Sequence, residues 1–89
     1  MPDAIYGLGY SQFALKNYKS SIASQEKLLA IYPSSTKASN AMYSIANSQI
    51  QLGQVGGAKE MLRSLIAKYP SAAVIPNAEK RLKVLESIK

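Results

Sequence analysis

Tyr32-Pro33-Ser34 returns as Tyr69-Pro70-Ser71, 37 positions further along the chain. The surrounding residues follow the same spacing, since residues 3–39 can be laid on residues 40–76 without a gap and agree at ten positions. A period of about 20–50 residues is typical of arrays of small helical or stranded units, none of which can bury its apolar face alone. Such arrays present extended surfaces to other macromolecules, so the repeat favours a binding module over an enzyme.

The apolar residues within each repeat follow helical spacing. In residues 18–32, and again in residues 55–69, they recur at intervals of three and four, which places one apolar face on each helix. Pro33 and Pro70 are predicted to end these helices, because proline cannot continue the hydrogen-bond ladder and biases the preceding residue out of the α region. We found no stretch that alternates with the period of a strand.

We therefore predict an all-α solenoid made of two helix-turn-helix repeats and a C-terminal capping helix. The five helices are expected over residues 3–15, 18–31, 37–52, 55–68 and 74–88. The first repeat spans residues 3–39 and the second spans residues 40–76. Lys16-Asn17 and Gly53-Gln54 separate the two helices within each repeat. Ser34-Ser35-Thr36 offers N-cap oxygens for the third helix.

The last helix has the pattern of a capping element. One face is expected to carry its apolar residues, which are Ala78, Leu82, Leu85 and Ile88. Its charged residues lie elsewhere on the helix and are Glu79, Lys80, Lys83 and Glu86. Such a helix can cover the second repeat while it turns a polar surface to water.

Several short motifs resemble those of a known family. Leu8-Gly9, the small residue at Ser21 or Ala58, and the Tyr-Pro ending resemble the tetratricopeptide repeat (TPR), a helix pair of usually about 34 residues. The longer repeat with Tyr32-Pro33-Ser34-Ser35 and Asn40-Ala41-Met42-Tyr43 is similar to the C-terminal domain of the YbgF/CpoB family of Tol–Pal-associated periplasmic proteins. Asn77-Ala78-Glu79-Lys80-Arg81-Leu82 is similar to the way chains of that family end, and the resemblance covers essentially all 89 residues.

The resemblance implies a protein-interaction module in the periplasm. It implies binding to TolA, influence on a bifunctional penicillin-binding protein, and coordination of peptidoglycan synthesis with outer-membrane constriction during cell division. Members of that family also carry an N-terminal trimerising coiled coil, which implies an oligomer. Because Met1 stands two residues before the first repeat, we expect a domain excised from a longer protein.

The sequence departs from the YbgF/CpoB pattern at a few positions, including Ala46-Asn47 and Gly56-Gly57. The outer-membrane assembly lipoprotein BamD has similar long repeats and is the nearest alternative family. A general TPR adaptor is a further alternative.

The charge and composition of the chain argue against other classes of protein. Its net charge of +6 arises from basic residues that are scattered, and only Lys80-Arg81 with Lys83 forms a cluster. We interpret this excess as a solvated surface, with nucleic-acid binding through that cluster as the alternative. No apolar run approaches the roughly 20 residues of a membrane span, so we expect no membrane insertion. The first residues lack the regions of a signal peptide.

The residues that most often support catalysis or bind metals are scarce. The sequence contains no histidine and no cysteine, and its five acidic residues form no pair at helical contact spacing. Gly53-Gln54-Val55-Gly56 has the spacing of a nucleic-acid-clamping KH loop, but that loop lies beside a sheet, and no strands are predicted here. We expect no enzymatic activity, no metal, no cofactor and no nucleic-acid partner.

Tyrosine and amide residues indicate the binding surface. Tyr6 and Tyr10 lie one helical turn apart, and Tyr43 with Asn47 repeats that geometry one period later. In tetratricopeptide repeats the first helix of each pair lines a concave groove. By that resemblance the groove residues are Tyr6, Tyr10, Asn40, Tyr43, Asn47 and Gln51. Tyrosine and asparagine combine contact area with hydrogen-bonding groups, and tyrosine is enriched in interface hot spots. The remaining tyrosines, Tyr18, Tyr32 and Tyr69, are expected to pack in the core or between repeats.

The charge interpretation predicts weak, unspecific DNA binding. Duplex DNA should bind without sequence preference, and its affinity should collapse as salt rises through the physiological range, because contacts to phosphates alone are strongly screened. Fluorescence anisotropy with two unrelated duplexes at several salt concentrations measures this. Tight and sequence-selective binding at about 150 mM salt would contradict the interpretation.

Overall fold

The computed structural model describes residues 2–87 and folds them into five helices without a strand in that range. The helices are α1 (Pro2–Ala14), α2 (Tyr18–Ile31), α3 (Ala38–Gln51), α4 (Val55–Lys68) and α5 (Ile75–Glu86). Each helix packs mainly against the next one in the chain, which is the arrangement of a helical solenoid. The all-α prediction is confirmed. The bounds of α2 and α4 agree with the prediction, and the other described helix ends differ by a residue, as assignments of frayed ends commonly do. The predicted end of the last helix at residue 88 lies outside the described residues.

The turn inside each repeat uses the same backbone conformation. Lys16 has a φ of 63° and the repeat-equivalent Gly53 a φ of 79°, both in the left-handed region. The following amides, of Asn17 and Gln54, each donate to a carbonyl five residues earlier at 2.8 Å. Glycine adopts this conformation freely, whereas an L-residue with a side chain pays about 1 kcal/mol or more. The first repeat therefore carries a strained turn where the second does not.

The Tyr-Pro pairs end α2 and α4 as predicted and also join the two repeats. Tyr69 packs against the apolar clusters of both repeats, and its hydroxyl donates a hydrogen bond of 2.7 Å to the carbonyl of Pro33. The side chain of Tyr32 is partly buried. The second Tyr-Pro turn is thus held directly on the first.

The predicted N-cap of α3 is wrong. Lys37 precedes the helix, and no side chain caps its first turn. Ser35 Oγ instead accepts a hydrogen bond of 3.0 Å from the Lys37 amide, outside the helix. The reason is that the chain turns twice before α3, so that the backbone carbonyl of Ser35, rather than a hydroxyl, accepts from the Ala38 amide at 3.0 Å.

The core follows the boundaries between helices. A cluster of buried residues joins α3, α4 and α5 and includes Met42, Ala46, Leu62, Leu65 and Leu85. A smaller cluster joins α2 to α3 through Leu28, Ala38 and Ala41. On α5, Ala78 and Leu85 are buried and Leu82 is partly buried, so this helix covers the second repeat as predicted. Ile88 lies outside the described residues.

One apolar face of α1 has no described neighbour. Leu8 is 55% exposed, and Leu15, which directly follows the helix, is 80% exposed. The repeat-equivalent of Leu8 is Ile45, which is only 1% exposed because α3 packs between α2 and α4. The first helix thus shows to solvent a face that the third helix buries, a difference that the repeat pattern by itself does not predict.

The interior of the first repeat is polar where that of the second is apolar. Gln25 is fully buried, and its Nε2 donates a 3.2 Å hydrogen bond to the Tyr6 carbonyl. Ser21 Oγ donates to the Gly9 carbonyl at 2.7 Å. In the second repeat, Gly9 is replaced by Ala46, Ser21 by Ala58 and Gln25 by Leu62. Gln25 Oε1 is buried and accepts no hydrogen bond from the described residues, which costs about 1–3 kcal/mol.

We predict that Leu65→Ala lowers the free energy of unfolding by about 2–5 kcal/mol, because Leu65 is fully buried between α4 and its neighbours and its truncation leaves a cavity. Chemical denaturation followed by circular dichroism measures the change. Leu15→Ala is the matched control and should change stability by about 0.5 kcal/mol or less. Equal effects of the two substitutions would contradict the described packing.

We also predict that Gly9→Ala destabilises the domain by about 1–3 kcal/mol, since the added methyl group would collide with the buried Gln25 amide. Adding Gln25→Leu should restore the thermal midpoint to the wild-type value or above, because the pair then copies Ala46 and Leu62 of the second repeat. A double variant as unstable as Gly9→Ala alone would show that the two interiors are not equivalent.

Candidate functional site

Helices α1 and α3 form an open pocket of about 180 Å³, named here the α1–α3 pocket. It is lined by Tyr6, Tyr10, Phe13, Asn40, Tyr43, Ser44 and Asn47. Five of the six residues predicted for the groove are therefore brought together. The sixth, Gln51, is the exposed last residue of α3 and is not among the lining residues, because it lies one turn beyond Asn47.

Two lining residues were not predicted. Phe13 follows Tyr6 and Tyr10 on the same face of α1, and its ring makes an edge contact with Tyr18 at a centroid distance of 5.3 Å. Ser44 adjoins Tyr43 on α3. Phe13 could have been found by extending the Tyr6–Tyr10 spacing by one further turn.

The packing of α3 explains why these side chains face outward together. Ala38 and Ala41 are buried in the cluster with α2, while Met42 and Ala46 are buried in the cluster with α4 and α5. These positions occupy most of one half of the helix at 100° per residue. The residues of α3 that line the pocket lie on the other half.

The α1 side of the pocket is aromatic. The rings of Tyr6 and Tyr10 lie 6.5 Å apart and are tilted by 41°. Burial raises the pKa of the Tyr6 hydroxyl, and the neighbouring Tyr10 raises it further. Lys37 Nζ lies 5.5 Å from the centre of the Tyr6 ring, at the distance of a cation–π contact. Tyr6 thus presents a neutral hydroxyl and an ordered ring.

The α3 side of the pocket is polar. Asn47 Oδ1 is buried and accepts no hydrogen bond from the described part of the chain. Asparagine offers one carbonyl acceptor and two N–H donors, which match the groups of a peptide backbone. A polar group buried without a hydrogen-bond partner costs about 1–3 kcal/mol.

A second depression extends the site across α3 to α5, and is named here the α5 depression. It measures about 350 Å³ and is lined by Tyr43, Asn77, Lys80, Arg81 and Val84. Tyr43 lines both this depression and the α1–α3 pocket, so the two lie side by side at this ring, and together they are called the groove. No α5 residue was included in the predicted site. The repeat spacing could have found them, since Asn77 follows Asn40 by one period.

A third depression, of about 410 Å³, lies between the two Tyr-Pro turns. Its lining includes hydroxyls of Ser35, Thr36 and Ser71 and no charged side chain. It meets the α1–α3 pocket at Asn40, which lines both. It therefore adjoins the α1–α3 pocket on the loop side.

Other kinds of site have little support within residues 2–87. These residues contain no group of three or more His, Cys, Asp or Glu side chains placed to hold a metal ion. None of the helices described has both the length and the apolar character needed to cross a bilayer. Gly53, in the segment with KH-like spacing, ends α3 as a turn residue with positive φ rather than adjoining a sheet.

Comparison with known proteins agrees with this architecture. A family model of the tetratricopeptide repeat matches residues 3–35 and residues 40–72, which together cover more than half of the chain. No curated protein matches the sequence. The matched segments contain both helices of each repeat, including α1 and α3, from which the pocket is built. The chain therefore belongs to the tetratricopeptide repeat family.

Proposed function

We propose that the domain binds a segment of a partner protein in the groove formed by α1, α3 and α5. The observation that carries the proposal is the convergence of Tyr6, Tyr10 and Tyr43 with two asparagines in one open pocket. Tetratricopeptide repeats serve as scaffolds for protein–protein interaction. Tyrosine at the centre of such a surface supplies contact area at low entropic cost, which is typical of binding hot spots.

The pocket is suited to recognition because its walls are helices held by the core. α1 packs on α2, and α3 packs between α2 and α4, so little ordering is required when a ligand binds. A preformed surface loses less conformational entropy on association than a mobile loop. The aromatic rings would hold an apolar side chain of the partner, while the amides of Asn40 and Asn47 would bind its backbone.

We further propose that the partner is TolA and that the domain acts in the periplasm as part of a YbgF/CpoB-like protein. In that role it would coordinate peptidoglycan synthesis with outer-membrane constriction during cell division, through a bifunctional penicillin-binding protein. Support comes from the long repeat with its Tyr-Pro-Ser turns and from the closing Asn77–Leu82 segment. Binding to an outer-membrane assembly partner but not to TolA would favour the BamD-like alternative.

We predict that Tyr43→Ala lowers the affinity for TolA by about 2 kcal/mol or more, because Tyr43 lines both parts of the groove. Its thermal midpoint should fall much less than that of Leu65→Ala, since Tyr43 packs against the cluster of α3, α4 and α5 but is only partly buried. Isothermal titration calorimetry and a thermal melt, run in parallel, separate the two effects. Ile31→Ala, an exposed apolar position on α2, is the control and should alter neither quantity.

Three outcomes would count against the proposal. A large fall in the midpoint of Tyr43→Ala would show that the ring belongs to the core. Unchanged affinity with an unchanged midpoint would place the TolA-binding surface elsewhere. An absence of TolA binding by the wild-type domain would overturn the partner assignment.

A further inference from the structure

We infer that the partner segment is acidic and that Lys80 and Arg81 of α5 bind its carboxylates. The inference rests on the proposed function, since it uses the same groove, and it adds the chemical class of the partner. Asn77, Lys80, Arg81 and Val84 line the α5 depression and follow one another at intervals of three, one and three residues. They therefore share one face of α5, and that face lies beside the α1–α3 pocket, since Tyr43 lines both depressions.

Repeat equivalence places these residues on the binding face independently of the depression. Residues 77, 80, 81 and 84 lie one period after Asn40, Tyr43, Ser44 and Asn47, all of which line the α1–α3 pocket. Helix α5 thus presents the same face as α3, with Lys80 in place of Tyr43 and Arg81 in place of Ser44. The groove changes from aromatic and amide side chains at α1 and α3 to cationic ones at α5.

The charges of Lys80 and Arg81 are not neutralised within the described residues. The ion pair found there joins Arg63 to Glu86 at 2.9 Å, and neither Lys80 nor Arg81 takes part in one. No acidic side chain lines the α1–α3 pocket or the α5 depression. Lys37, stacked on the Tyr6 ring, adds a further positive charge beside the pocket. The groove is therefore positive and attracts a negative ligand.

The arrangement favours an acidic polypeptide over a nucleic acid. Arginine pairs with a carboxylate through two parallel hydrogen bonds, and the Asn77 amide beside it can donate another. Nucleic acids require many phosphate contacts along a basic track. Here only Lys80 and Arg81 of the Lys80-Arg81-x-Lys83 cluster line the groove, while Lys83 is exposed and is not a lining residue. A partner segment with an apolar side chain against Tyr43 and a carboxylate one or two residues away would occupy both the α1–α3 pocket and the α5 depression.

The test is a selection of random peptides, displayed on phage, against the 89-residue domain at physiological salt. The peptides recovered should be enriched in Asp and Glu next to apolar or aromatic residues. The double substitution Lys80→Gln/Arg81→Gln should weaken binding of a selected peptide by about tenfold or more, as loss of charge-assisted hydrogen bonds does. Lys19→Gln/Lys83→Gln removes the same total charge from exposed positions outside the groove and should have little effect.

The outcomes separate this inference from the proposed function. Recovery of no acidic peptides, or equal weakening by the two double variants, would overturn the acidic-partner inference. So would tight binding of duplex DNA that competes with the selected peptide. If the affinity of the selected peptides is unchanged by Tyr43→Ala, the proposed binding groove itself is overturned. Peptides that depend on Tyr43 but lack carboxylates would leave the groove intact and refute only the role of Lys80 and Arg81.

Discussion

The rest of the structure depends on one constraint: α3 buries two of its faces, one against α2 and the other against α4 and α5. This helix packs against α2 through Ala38 and Ala41 and joins the cluster with α4 through Met42 and Ala46. Small alanines on both sides let the neighbouring helices approach closely, and Ile45 between them is almost fully buried. With these faces occupied by alanines, Met42, Ile45 and two buried serines, the tyrosine and asparagines of α3 lie on the remaining face. The same packing that stabilises the solenoid thus creates the face proposed to bind a partner.

The first and the last described helices depart from this arrangement in different ways. α5 buries Ala78 and Leu85 against the preceding cluster and turns its charged residues outward. α1 has no described helix before it, so Leu8 and Leu15 remain exposed. Between the ends, the hydrogen bond from Tyr69 to Pro33 ties one repeat to the next. The groove therefore spans three helices whose relative positions are set by successive packing contacts.

The helices and most of the pocket residues could be predicted from the sequence. The physical reasons for this also explain which residues could not be placed. The helices follow from apolar spacing and from proline, both of which are local signals. Tyr6, Tyr10 and Tyr43 could be placed together because the repeat carries a position on one helix to the same position on the next. Gln51 stays a prediction: it does not line the α1–α3 pocket, and the spacing does not show where a pocket ends. Lys80 and Arg81 were missed because their charge suggested a solvated surface, although they lie one period after Tyr43 and Ser44 and the structure places them beside Tyr43.

The central claim is that the face shared by α1, α3 and α5 binds a protein segment. Amide ¹H–¹⁵N chemical shifts of the labelled domain, recorded while a library-selected binding peptide is added, test it most directly. The account predicts that the largest shifts fall around Tyr6, Tyr43, Asn47 and Arg81, with α2 and α4 little affected. Shifts concentrated on α2 and α4, or along the exposed Leu8–Leu15 face of α1, would contradict it.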